Sequence, residues 1–187
     1  MFEGESSAGS IPDPIPARAF CESTEALMPD IDTRFSAVDF PRVGTRRARA
    51  RDLPFIVSGE RRYVRLVDPG QEAAWVSSLG SSIDLWADSL PFTTIVDVGG
   101  IDAGYLMWAP SGGDAMLVSL SVVPCYQRHG LGKGLLRVFV DEAKRSGAHS
   151  LRIGTHQVDP ARHLYERNGF ARYDVDEQFV FYAMAGE

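Results

Sequence analysis

Leu120-Ser-Val-Val-Pro124-Cys-Tyr-Gln127-Arg128-His129-Gly130-Leu131-Gly132-Lys133-Gly134 runs from the end of a β-branched strand, Met116–Val123, through a glycine-rich turn into a helix. Glycines let a backbone come close to a ligand, and the free N–H groups at a helix start favour an anion such as a pyrophosphate. Two familiar phosphate loops fail here. A Walker A loop needs Gly where Gln127 stands and Ser or Thr where Gly134 stands. The dinucleotide fingerprint needs a third Gly where Leu135 stands. What remains is Gln127-x-x-Gly130-x-Gly132, preceded by Leu120-x-Val122-x-Pro124.

Working outward, Leu135, Leu136, Phe139, Val140 and Ala143 form one apolar stripe on the following helix, which Lys144 and Arg145 suit at its C-terminal end and Gly147 stops. A strand at Ser150–Thr155 comes next, then a helix with Asp159 as N-cap, Pro160 in its first turn and Asn168-Gly169 at its close. Arg172–Val175 and Gln178–Met184 read as strands. Upstream, Thr93–Val98 and Ala103–Trp108 read as strands joined at Gly99-Gly100. Helices are expected over Trp75–Leu79 and Ser82–Leu90, and a first strand over Arg62–Val67. The order β-α-α-β-β-β-α-β-α-β-β predicts an α/β domain over 59–187, with a mixed central β-sheet and flanking helices. Residues 1–58 read as a poorly ordered N-terminal extension: Pro12, Pro14, Pro16, Pro29, Pro41 and Pro54 interrupt it, with one short helix near Ser23–Leu27.

The 187 residues, 44% hydrophobic and 24% charged, fit one soluble domain with a full core. A net charge of −6 argues against a general nucleic-acid binder and weakly favours a cationic or amine partner, although a solvated surface is its first explanation. Cys21 and Cys125 are distant and lack metal-ligand spacing, so neither a metal nor a disulfide framework is expected. MFEGESSAGS has no basic or apolar region of a signal peptide, and no apolar run approaches a membrane span of roughly 20 residues. A cytoplasmic monomer or homodimer without membrane contact is expected.

The loop and its strand resemble the coenzyme A pyrophosphate loop and pantetheine-binding strand of the GNAT superfamily of N-acetyltransferases. Ala161-Arg-His-Leu164-Tyr165-Glu-Arg-Asn-Gly169-Phe170 resembles a second segment of that family, A-x-x-L-Y-x-x-x-G-F. The clear match covers about 116–170, and within the superfamily the loop is most similar to bacterial ribosomal-protein alanine N-acetyltransferases. The resemblance implies a GNAT fold and transfer of acetyl from acetyl-CoA, without a metal, to a primary amine of a protein or small molecule. It also implies that backbone groups of Leu120, Ser121 and Val122 hold the pantetheine arm. Arg128, His129, Gly130, Leu131, Gly132 and Lys133 would hold the pyrophosphate, with charge from Arg128 and Lys133.

The same resemblance makes Tyr165 the acid for the leaving thiolate. The general base has no direct counterpart. Similar alanine acetyltransferases carry Glu where Gly154 stands here, and the family's Asn before the last helix is replaced by Val158 and Asp159. His156 shares a strand face with Gly154 and could relay a proton, or be a structural histidine. Trp75, Trp86 and Trp108 read as core or as walls of an acceptor pocket, expected around 71–91. Arg42, Arg46, Arg47, Arg49 and Arg51 read as a solvated arm. Two alternatives stand beside the leading one: a toxin-like acetyltransferase of aminoacyl-tRNA using those arginines, and a non-catalytic acyl-CoA-binding regulatory module.

Overall fold

Two glycine pairs shape the meander at the centre of the sheet. Gly99 and Gly100 have φ of 62° and 85°, and Gly112 and Gly113 have φ of 60° and 89°. Such doubly positive turns match the twist of the strands they join. Between and around them lie β2 (Thr93–Val98), β3 (Ile101–Ser111) and β4 (Asp114–Val122), all antiparallel. The computed structural model describes residues 42–186. Cys21, the short helix expected near 23–27 and the rest of 1–41 lie outside the described residues.

The other elements are β1 (Val43–Arg47), α1 (Leu53–Val67), α2 (Glu72–Ser77), α3 (Leu79–Ser89), α4 (Leu131–Arg145), β5 (Ser150–His156), α5 (Arg162–Arg167), β6 (Ala171–Val175) and β7 (Phe179–Ala185). Among the described residues the sheet order is β1-β2-β3-β4-β5-β7-β6. Its one parallel pairing joins β4 to β5.

Two apolar clusters lie on opposite faces of this sheet. Leu106, Trp108, Leu117, Leu151, Ile153 and Tyr182 pack with Leu135, Leu136 and Phe139 of α4, the stripe expected from sequence. On the other face Ile95, Tyr105 and Met107 pack with Ile56 of α1 and Trp86 of α3. Contact is close there: a Cβ on Gly59 would stand 2.5 Å from the Tyr105 hydroxyl, so only glycine lets α1 settle at this depth.

Three expectations are corrected. Arg62–Val67 is the C-terminal half of α1, not a strand. Its alternation is coincidental, because Ile56, Glu60, Tyr63 and Val67 also repeat every three or four residues and Leu66 is 63% exposed. Pro54 does not interrupt this helix but stands in its first turn, where its missing N–H costs nothing.

The irregular extension expected to reach 58 does not hold for residues 43–58. Val43–Arg47 is an edge strand paired with β2, and α1 begins at Leu53.

Part of the arginine run, finally, is not a solvated arm. Arg46 donates to Asp52 at 2.7 Å and to Asp102 at 2.9 Å, and Arg47 to Glu142 of α4 at 2.8 Å. Burial by itself would raise the Asp52 pKa, but Arg46 and the Arg49 N–H hold it below the usual carboxylate range.

Candidate active site

The parallel ladder is short. β4 meets β5 only at Ala115↔Leu151, Met116↔Arg152 and Leu117↔Ile153. Beyond it, Val118 has no partner in the β3 register, which passes from Met107↔Ser119 to Trp108↔Leu117. A bulge of this kind bends a strand. After the bulge, Leu120–Val122 continues β4 and Gly154–His156 continues β5 without mutual pairing, so the two strands splay and leave backbone groups of β4 without a β5 partner.

The glycine turn follows the unpaired end of β4 and leads into α4. Gln127 folds back so that its side-chain amide donates to the Val122 carbonyl at 3.0 Å. Arg128 takes a left-handed φ of 65°, uncommon for a residue with a side chain, and Gly130 follows with φ 84° at the N-cap of α4. That N-cap offers no side-chain oxygen to the first-turn amides. The N–H groups of Leu131, Gly132 and Lys133 therefore have no acceptor within the helix, and they carry the positive end of its dipole. A Cβ on Gly130 or Gly134 would meet nothing within 4 Å. At Gly132 it would lie 3.6 Å from Leu164 of α5 and 3.9 Å from Leu120 of β4. The two sequence motifs thus converge on one glycine. Arg128, His129 and Lys133 are exposed around it. Open glycines, uncapped amides and two cations fit a pyrophosphate.

Tyr165, on α5, is 4% exposed in the core cluster, its ring against Phe170 and Tyr182. Burial, and then the Asp159 carboxylate, push its pKa well above the ordinary phenol value. Asp159 accepts the Thr155 hydroxyl and the Ala161 N–H, so it caps the turn before α5 rather than the helix itself, whose N-cap is Ala161. Thr155 stands 3.5 Å from the Tyr63 hydroxyl, which also accepts the His156 N–H at 3.3 Å. His156 turns its ring edge to Phe179 and accepts the Val158 N–H. A cavity of about 520 Å³ opens beside these residues, lined by Tyr63, Val67, Asp68, Trp75, His156 and Phe179 among others. It involves α2, as expected, but also α1 and the tip of β7. Trp86 and Trp108 are core.

Sequence reading missed the residues supplied by α1. Foremost is Glu60, whose carboxyl is shielded although the residue is partly exposed: it accepts the Tyr105 hydroxyl at 2.6 Å and the Ser119 hydroxyl of β4. Reading Pro54 as a helix start would have placed Glu60 and Tyr63 on one apolar stripe.

Residues 91–172 match the acetyltransferase (GNAT) domain family. The [ribosomal protein bS18]-alanine N-acetyltransferase of Haemophilus influenzae is 32% identical over 66 residues, which is 35% of this chain and 45% of that protein. The chain thus matches about half the length of that curated relative. In fold it is similar to PaiA N-acetyltransferase from Thermoplasma acidophilum, solved with coenzyme A. That structure has a TM-score of 0.68 and 17% identity, over 77% of this chain and 99% of that one. It is also similar to YncA, a putative acetyltransferase from Salmonella typhimurium solved with acetyl-CoA, with a TM-score of 0.61 and 19% identity over 78% and 95% of the two chains. By fold and by sequence, residues 91–172 belong to the GNAT acetyltransferase family.

Proposed function

We propose that the protein is an acetyl-CoA-dependent N-acetyltransferase that acts on a primary amine, in the cytoplasm. The observation that carries this reading is the convergence at Gly132, where the uncapped start of α4 stands between Leu120 of the splayed strand and Leu164, the immediate neighbour of Tyr165 in α5 and its motif. Acetyl-CoA supplies the activated acyl group. The backbone of Leu120, Ser121 and Val122 lies along the opening to orient its pantetheine arm. The amides of Leu131, Gly132 and Lys133, with Arg128, His129 and Gly130 in the turn, hold the pyrophosphate.

Tyr165 keeps its proton throughout the working pH range, because burial and Asp159 disfavour the phenolate. It is therefore a loaded donor for a thiolate of ordinary pKa about 8.5. Because the phenol is the weaker acid, transfer accompanies bond breaking. His156 lines the acceptor cavity beside Phe179 and Trp75, and Asp68 gives that cavity a carboxylate that attracts an ammonium group. The aminoacyl-tRNA alternative loses support, since Arg46 and Arg47 are held by Asp52, Asp102 and Glu142.

The test is thiol release from acetyl-CoA across a panel of alkyl and aromatic amines and peptides with free N-termini. Amine-dependent release supports the reading. Tight coenzyme binding without release on any amine would instead point to a regulatory module.

A further inference from the structure

Glu60 is an acid on α1 whose carboxyl is shielded from water and whose hydrogen bonds, among the described residues, come from hydroxyls. Its Oε1 accepts from Tyr105 on β3 and from Ser119 on β4, and among the described residues no lysine, arginine or histidine forms an ion pair with it. A carboxylate removed from water without a cation is costly to keep, and an apolar residue would fill the space more cheaply.

Its position suggests what it is for. Ser119 follows the bulged Val118 and precedes Leu120, so the hydroxyl holding Glu60 sits where β4 turns away from β5. Three residues along the same helix face, Tyr63 walls the acceptor cavity and reaches the end of β5. Glu60 therefore lies between the acceptor cavity and the strand assigned to the acyl donor, on a helix that Gly59 allows to press against Tyr105.

Building on the acetyltransferase reading, we infer that Glu60 is the proton acceptor for the incoming ammonium, working through the Ser119 hydroxyl. The substrate nitrogen gives a proton to Ser119 Oγ while the Ser119 proton passes to Glu60 Oε1. A neutral amine and a carboxylic acid result, and the acid returns its proton to water after transfer. Burial raises the Glu60 pKa above the ordinary carboxylate value, while the Ser119 and Tyr105 hydroxyl donors oppose the rise. The titratable groups facing it are Tyr105 from β3 and Tyr63 on α1, both phenols whose pKa burial raises, so neither changes charge near neutral pH.

The test uses the full-length protein and the amine most active in the thiol-release panel. Glu60→Gln keeps shape and loses basicity. Its single-turnover rate should fall about 10²–10⁴-fold, acetyl-CoA affinity by calorimetry should be unchanged, and the acid limb of the kcat/KM profile should move to the ionisation of the free amine. Ser119→Ala, which keeps the carboxyl, should lose a similar factor and serves if Glu60→Gln does not fold. An active wild-type protein whose profile superimposes on that of Glu60→Gln, or a fully active Ser119→Ala, overturns this inference alone. So does an acid limb that survives in Glu60→Gln and disappears in His156→Gln. A wild-type protein that acetylates nothing overturns the acetyltransferase reading on which it rests.

Discussion

The Tyr63 hydroxyl accepts the backbone N–H of His156 at 3.3 Å, which fastens α1 to the C-terminal end of β5, and both residues line the same cavity. Tyr63→Phe keeps the ring wall and removes the fastening. One such hydrogen bond is worth about 0.5–1.5 kcal/mol, so KM for the amine should rise about two- to tenfold. Acetyl-CoA affinity, read by calorimetry, should not change. An unaltered KM would separate the latch from acceptor binding.

Gly132 distinguishes space from charge. A Cβ there makes ordinary contacts with Leu164 and Leu120, so Gly132→Ala should fold with near-native melting. Gly132→Asp places a negative charge among amides assigned to a pyrophosphate, and acetyl-CoA affinity should fall about a hundredfold or more. A folded aspartate variant that binds normally would remove the loop from coenzyme recognition.

Tyr165→Phe loses a hydroxyl that has no hydrogen-bond partner among the described residues, so the thermal midpoint should hold. Single-turnover acyl transfer should slow by about 10²–10⁴-fold, the usual contribution of a positioned acid. A smaller effect on steady-state kcat than on the single turnover would mean that product release limits the rate.

The Arg46–Asp52 pair makes a pH prediction. The folded Asp52 pKa is depressed, so its contribution to stability is complete above the ordinary aspartate value of 3.8 and is lost as pH falls through the lower folded value. Arg46→Ala leaves a side chain only 5% exposed without its cation, which should cost about 1–3 kcal/mol at neutral pH. It should also raise the pH at which acid unfolding begins. Circular dichroism from pH 7 downward reads both, and an unchanged acid midpoint would remove Asp52 from the stability balance.

The parts legible in the sequence are those governed by local chemistry. Gly99-Gly100 announced a turn whose φ values bear it out, Pro124 ended β4, and the α4 stripe from Leu135 to Ala143 packs as its period implied. The glycine turn and the Tyr165 segment were legible because they are short motifs. Less visible were features created by distant partners. β1 is a strand because β2 offers it an edge, and Arg46 is held by Asp102 from far along the chain. Glu60 gains its character from Tyr105 and Ser119, which reach it only when the sheet has formed. The error over Arg62–Val67 has the same origin, since six residues are too few to fix a period until a neighbouring surface selects one.

Three residue pairs, from Ala115↔Leu151 to Leu117↔Ile153, make up the register between the block β1–β4 and the block β5–β7. Also joining the blocks are the His149 N–H bond to the Gly113 carbonyl, the Arg152–Asp114 ion pair, the Tyr63–His156 bond and side-chain packing beneath α4, where Phe139 is 6.3 Å from a stacked Phe170 and shares a cluster with Ile153 and Tyr182. Hydrogen-bonded ladders break when strands slide, whereas apolar contacts reform at slightly different offsets. Beyond Leu117 and Ile153 no β4–β5 ladder remains to break, so a change in the width of the gap there leaves the three paired positions intact.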